Sequence, residues 1–409
     1  MLVHIWFGFF AISFATAIYQ WLINGHGEIF AALVQSTFDM AGLSVEVAIG
    51  LIGVLCLWLG FFRIAEQAGL INILSRGLEP LFLKLMPEIP RGHASHGSIT
   101  MNIAANMLGL DNAATPMGLK AMQDMQTLNS SKDTASNAQI LFLVLNTSSV
   151  TLLPITIFMY RAQQGAVDPA AVFIPILLAT SASTMAGLLA VCYVQKINLL
   201  NKVVLSYFAG FTLLLSALAS YLVSQPADQI SALSSLLGNL TLFSLIMLFL
   251  GYGWWKRVNV YDAFIDGAKE GFDVAIKLIP YLVGMLVAIG VLRTSGVLDG
   301  ILMGIEYVFT LFGFNTDFIQ ALPTALMKPL SGSGARAMML ETMSTHGVDS
   351  FPATLAAILQ GSTETTFYVL AVYFGSVGIR HVRHAITCAL IADAAGITTA
   401  IMAGYWFFH

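Results

Sequence analysis

The chain has 409 residues, 57% of them hydrophobic and only 10% charged, with a formal net charge of −4 and a mean hydropathy of +0.80. Soluble globular chains are about one quarter charged, so the composition excludes that class and points to an all-α polytopic membrane protein. No basic block is dense enough to follow a phosphate backbone, which excludes nucleic acid as a partner.

A helix needs about 20 mostly apolar residues to cross the hydrocarbon core. Residues 3–23 meet this first. Ala15-Thr16-Ala17 imitates a signal-peptidase site, but no Lys or Arg precedes it and the segment has a counterpart later in the chain, so it reads as a retained span. Residues 45–64 form the second span, followed by residues 70–128, which are short-stepped, interrupted by Gly and Pro, and rich in Asn, Ser and Thr. Such a stretch reads as a broken or re-entrant helix. His93 and His96 lie within it, in a polar segment without a thiol or carboxylate beside them, and read as loop residues; no metal site is expected. Residues 138–159, 170–194, 203–223, 230–252 and 274–292 follow as spans. A second interrupted stretch covers residues 297–341, and residues 352–374 and 385–408 bring the count to about nine full spans. Cys56, Cys192 and Cys388 stand alone in apolar runs and read as packing residues.

The chain repeats itself. Shifted by 227 residues, residues 39–82 align with 266–309 without a gap, with thirteen of forty-four positions identical, among them Asp39/Asp266, Gly69/Gly296, Gly77/Gly304 and Glu79/Glu306. Further on the offset becomes 214, pairing Asn146-Thr147-Ser148-Ser149 with Gln360-Gly361-Ser362-Thr363 and Thr184 with Thr398. Residues 1–196 are thus a first repeat, 197–227 a linking transmembrane helix, and 228–409 a second repeat. One extra crossing between two even-membered copies turns the second upside down. Basic residues agree with this. Residues 24–44 hold no Lys or Arg, whereas their counterpart 251–271 holds Lys256, Arg257 and Lys269. In the next connection the bias reverses, with Arg63, Arg76, Lys84 and Arg91 in the first copy against Arg293 alone in the second. Two inverted repeats are expected, with the N-terminus inside and the C-terminus outside.

Polar residues at membrane depth are costly, so dense clusters of them mark a site. Each copy has two. In the first they are Asn102-x-x-x-Asn106-Met-Leu-Gly-Leu-Asp111-Asn112-Ala-Ala-Thr115-Pro116 and Asn146-Thr147-Ser148-Ser149-x-Thr151. In the second they are Lys328-Pro329-Leu-Ser331-Gly332-Ser333-Gly334-x-Arg336 and Gln360-Gly361-Ser362-Thr363-Glu364-Thr365-Thr366. Gly109 and Pro116, and the Ser-Gly-Ser-Gly run, break their helices and free backbone groups, and a helix starting after such a break turns amides towards an anion. Discontinuous helices at matched positions of inverted repeats point to a midplane binding site. Scattered hydroxyls such as Thr156, Ser181 and Ser183 read instead as interhelical glue. Substrate binding is therefore assigned to Asn102, Asn106, Asp111, Asn112, Thr115, Asn146, Ser148, Ser331, Ser333, Arg336, Gln360, Ser362 and Thr363, and ion coupling to Glu364, Thr365 and Asp393. A carboxylate within a span needs a cation, a proton or a basic partner, for which Lys328 and Arg336 are the candidates. Asn106, Asp111, Ser333 and Glu364 are expected to approach one central cavity.

At these clusters the sequence becomes recognisable. Residues 106–122, Asn-Met-Leu-Gly-Leu-Asp-Asn-Ala-Ala-Thr-Pro-Met-Gly-Leu-Lys-Ala-Met, resemble spore maturation protein A. Lys-Pro-Leu-Ser-Gly-Ser-Gly-Ala from Lys328 and Gln-Gly-Ser-Thr-Glu-Thr-Thr-Phe-Tyr from Gln360 resemble spore maturation protein B, so the chain looks like a fusion of the two. Both belong to the nucleoside-recognition or gate-domain group, which is similar to the membrane part of concentrative nucleoside transporters and of the ferrous-iron permease. The resemblance implies a transporter-like core with helical hairpins in a bacterial inner membrane. Glu364 stands where the family more often carries Asp.

Three functions compete. The leading one is a secondary active transporter of a small polar or anionic solute (nucleoside-like, amino-acid-like or a small carboxylate), without an organic cofactor and with sodium or proton coupling left open. The alternative is an uncoupled channel or gate acting with a partner protein. An enzyme is not expected, because the zincin His pair, the Gly-x-Ser-x-Gly elbow, the Walker loop and the dinucleotide fingerprint are all missing from the sequence. The partners expected are the lipid bilayer and the solute or ion, and a homo-oligomeric state stays open.

Overall fold

A computed structural model describes residues 2–108, 111–148, 151–225, 227–313 and 315–409. The first half contains α1 (Leu2–Asn24), α2 (Ile29–Gln67), α3 (Leu70–Leu85), α4 (Ala94–Met107), α5 (Asp111–Leu128), α6 (Asn137–Thr147), α7 (Ile155–Gln163) and α8 (Phe173–Gln195). After α9 (Lys202–Val223), the same order returns as α10 (Ala227–Trp255), α11 (Val260–Thr294), α12 (Val297–Leu311), α13 (Leu322–Met327), α14 (Gly332–His346), α15 (Phe351–Ser362), α16 (Thr366–Ser376) and α17 (Ala385–Phe408). Strand-like pairing among the described residues is limited to one bridge between Thr134 and His381. Among the described residues, six helices are long and apolar enough to cross a membrane: α1, α2, α8 with its preceding turn, α10, α11 and α17. Large apolar side chains such as Phe14, Phe38 and Phe243 stand exposed on α1, α2 and α10, a surface suited to lipid and not to water. The protein is an all-α membrane protein.

Local backbone geometry repeats along with the sequence. Gly69 and Gly296 precede α3 and α12 and are both left-handed, with φ of 80° and 76°. A Cβ disfavours that conformation, which is a physical reason for glycine at both matched positions.

Corresponding helices also pack on each other. A Cβ on Gly267 would strike the Leu59 carbonyl, one on Gly271 the Cys56 backbone, and one on Gly290 the Met40 side chain. As numbers rise along α11 they fall along α2, so the two run antiparallel at close approach. α8 and α17 behave likewise, with Gly187 against Ala392 and Gly396 against Ser183. Without water to drive association, small residues that admit close backbone contact are what holds such crossings. The pattern is reciprocal further out: α1 packs on α11 and α10 on α2. Arg63 meets Glu270 at 3.7 Å, so Arg63 and Lys269, together with the connection carrying Lys256 and Arg257, share one end of the α2–α11 pair.

Two expectations need correction. Residues 24–44 and 251–271, read as connections, are mostly helical, because α2 spans 39 residues and α11 spans 35. Their charged residues interrupt hydropathy, but Asp, Glu and Lys do not interrupt a helix. Conversely, residues 138–159 and 352–374, read as continuous spans, are each broken, between α6 and α7 and between α15 and α16. Pro154 starts the second piece in the first copy, and the hydroxyl-rich Thr363-Glu364-Thr365 runs extended in the second. Apolar length alone does not reveal such breaks.

Candidate functional site

Four chain breaks meet around one cavity of about 230 Å³. The α4–α5 break contributes Asn106 and Thr115, and the α6–α7 break contributes Asn146 and Thr151. From the second half come Lys328, Gly332 and Arg336 at the α13–α14 break, and Gln360, Thr363 and Glu364 at the α15–α16 break. Backbone hydrogen bonds tie the breaks together. Leu152 N donates to Met107 O at 3.1 Å in the first half, and Phe367 N donates to Pro329 O at 2.9 Å at the matching place in the second. Glu364 N donates to Thr147 O at 2.9 Å and so joins the two halves. Interrupted helices leave such groups without intrahelical partners, and here they satisfy one another.

An amide and phenol network lines one side. Asn106 Nδ2 donates to Asn146 Oδ1 at 2.8 Å, and Tyr373 Oη donates to the same oxygen at 3.3 Å. Asn102 Nδ2 donates to Ala114 O at 2.8 Å and to Tyr373 Oη at 3.4 Å. Tyr373 stacks on Phe142 with ring centroids 5.7 Å apart. On the other side the Arg336 guanidinium lies 5.3 Å from the centre of the Tyr160 ring, within cation–π range. Tyr160, Arg336 and Thr156 also border a second, more apolar cavity of about 380 Å³, lined by Leu51, Trp58 and Phe62 and reaching Arg63, Glu66 and Glu270. The Tyr160–Arg336 pair thus stands where an apolar vestibule meets a polar chamber.

Of the residues singled out from sequence, Asn106, Thr115, Asn146, Arg336, Gln360, Thr363 and Glu364 line the chamber. Asn102 supports it from behind. Ser331 caps α14 by accepting from Gly334 N at 3.1 Å, and its hydroxyl lies 3.2 Å from that of Ser333, with Gly332 between them on the wall. Ser148 and Ser362 bond back to Leu145 O and Leu359 O in their own helices. Thr365 is buried against Gly332. Asp393 lies behind the chamber, accepting from Thr366 Oγ1 at 2.7 Å. Asp111 and Asn112 open α5, but their side chains, like Ser149, lie outside the described residues. Sequence reasoning missed Tyr160, Tyr368 and Tyr373, which line the chamber as well. Each sits in an apolar run, and only its phenol oxygen hints at a partner.

The gate family described as nucleoside recognition matches residues 48–163 and 275–380, one match in each half. Spore maturation protein B of Bacillus subtilis is 44% identical over 151 residues, which is 37% of this chain and 83% of that protein. Spore maturation protein A of the same organism is 41% identical over 155 residues, or 38% of this chain and 79% of that protein. The inner membrane protein YjiG of Escherichia coli is 34% identical over 107 residues, 26% of this chain and 70% of that protein. No solved structure matches the chain.

Proposed function

The chain belongs to the nucleoside-recognition gate family, and from that premise we propose that it is a secondary transporter of a small polar or anionic solute in the bacterial inner membrane. One observation carries this reading: the polar chamber is walled by four helix breaks, two from each half. Irregular backbone at membrane depth is tolerated where it lines a cavity, and transporter sites are built in this way. The wall offers amides from Asn106, Asn146 and Gln360, together with the cations Lys328 and Arg336 and the carboxylate of Glu364. The wall thus combines amides with charges of both signs, which suits a polar or anionic solute.

The two halves act as inverted repeats. Antiparallel packing of α2 on α11 and of α8 on α17 supports this, since an axis relating antiparallel spanning helices lies in the membrane plane. Rocking of one half against the other would expose the chamber to each side in turn, with the Tyr160–Arg336 pair at one mouth. That YjiG is an inner membrane protein by name supports the location.

A thermal-shift screen of nucleosides, amino acids and small carboxylates on the purified chain should find a stabilising solute, and Glu364→Gln and Arg336→Gln should weaken that response. Proteoliposomes should then show saturable flux that follows an ion gradient. Flux that rises linearly with concentration and ignores gradients would replace the transporter with an uncoupled channel or gate.

A further inference from the structure

Three buried oxygens behind the chamber have no hydrogen-bond partner: Asp393 Oδ1, Thr363 Oγ1 and Ser183 Oγ. Their residues are 2%, 1% and 0% exposed. They come from three elements that converge where α8 crosses α17. A Cβ on Gly396 would lie 2.7 Å from Thr363 Cγ2, 3.0 Å from Ser183 Cβ and 3.2 Å from Ser362 O, so Thr363, Ser183 and the Ser362 carbonyl surround that glycine. Asp393 precedes Gly396 by three residues and shares its helix face. The other carboxylate oxygen, Asp393 Oδ2, is held by Thr366 Oγ1 at 2.7 Å. Leaving a buried polar atom unpaired costs about 1–3 kcal/mol, and a buried carboxylate with one bond costs more. Several such atoms at one crossing, in a region otherwise closely packed, are expected where something positive binds.

We propose that Asp393, Thr363, Ser183 and the Ser362 carbonyl form a binding site for a dehydrated alkali cation of sodium type. All the donors are oxygens, which suits a hard ion and not a soft one. A single carboxylate among neutral oxygens balances one positive charge, whereas calcium sites use several carboxylates. The site rests on the transporter reading for its purpose but not for its chemistry. Thr363 belongs to both places: its side chain lines the chamber, and its hydroxyl is one of the orphaned oxygens. Binding of the cation fixes Thr363 and with it the extended segment leading to Glu364, whose amide is bonded to Thr147 across the two halves. Ion and solute thereby order the same segment, and each favours the other. Glu364 is a wall residue of the chamber and not a ligand of the ion.

The test is thermal unfolding of the purified full chain in detergent, without solute, titrated with sodium chloride against choline chloride at constant ionic strength. A saturable rise in Tm with sodium and not with choline is expected. The apparent sodium affinity should fall roughly tenfold or more in Asp393→Asn, Thr363→Val and Ser183→Ala, and should persist in Glu364→Gln. Should Asp393→Asn fail to fold, the two hydroxyl variants give the same reading. Equal responses to sodium and choline in the wild type, sodium responses unchanged in the variants, or stabilisation that follows pH alone would overturn the site, the last by assigning it to a proton. A sodium response without any responding solute would leave the ion site standing and remove the transport reading; a responding solute without a sodium response would do the reverse.

Discussion

Tyr373 shows how much one hydroxyl decides at membrane depth. Its phenol joins Asn102 on α4 to Asn146 on α6, although it belongs to the other half of the chain. Gly118 makes room for it, since a Cβ there would run into the Tyr373 hydroxyl. Tyr373→Phe keeps the stacking on Phe142 and removes only the oxygen, leaving the two amides to find other partners. The loss should be about 1–3 kcal/mol of stability, read as a lowered Tm in detergent, together with weaker solute stabilisation in the thermal-shift screen. An unchanged Tm and solute response would leave the phenol as filler. The same scale explains why Tyr373 escaped the sequence reading: polar clusters announce themselves by density, and this residue supplies one oxygen among apolar neighbours.

At the scale of elements, function depends on where helices stop. A Cβ at Gly332, in the first turn of α14, would lie 2.7 Å from Thr365 Oγ1. Thr365 is buried in the α15–α16 break, so Gly332→Ala must displace its side chain within that break. The expected outcome is a folded protein with normal helicity by circular dichroism and a solute response reduced or lost. Helix ends also set a pH limit. His384, at the start of α17, accepts from Gln195 Nε2 at 3.1 Å and so links the end of α8 to α17. Burial, and then the Arg383 charge, hold its pKa below the ordinary 6.5. The unfolded chain therefore takes up this proton first, and the His384 contribution to stability is complete above pH 6.5 and declines as pH falls below it. Unfolding midpoints measured across this range should fall towards acid, and His384→Gln should flatten that part of the curve.

For the whole molecule, the decisive quantity is the direction of each half. Basic residues near the Arg63–Glu270 contact lie at one end of the α2–α11 pair, and the positive-inside rule predicts that end to be cytoplasmic. α1 packs alongside α11, with Trp6 reaching Gly284 and Gln20 reaching Ser295, so α1 and α11 run in the same direction and α1 starts on the side facing the basic end. α17 runs opposite to α8 and begins beside its end at Gln195. Reporter fusions should find the N-terminus in the cytoplasm and His409 outside. A cytoplasmic His409 would mean that the halves are not inverted as proposed, and the transport cycle would need a different geometry.

Composition, spacing and charge are enough to reveal that this chain faces lipid, that it repeats, and where its polar clusters lie. Composition reports whether a chain faces lipid, the matched Gly69 and Gly296 report a backbone conformation that only local sterics dictate, and dense Asn, Ser and Thr runs report groups that lipid cannot satisfy. Tertiary structure decided what those groups do. Ser148 and Asn146 stand two residues apart in one cluster, yet Asn146 faces the chamber while Ser148 bonds back into its own helix. Ser183 read as glue, but its hydroxyl has no hydrogen-bond partner, and the crossing of α8 with α17 brings Ser183 beside Thr363 at Gly396. Whether a polar atom is satisfied depends on neighbours from distant parts of the chain. Hydropathy and spacing describe only the residue and its own helix, so that question was answered where the two halves meet.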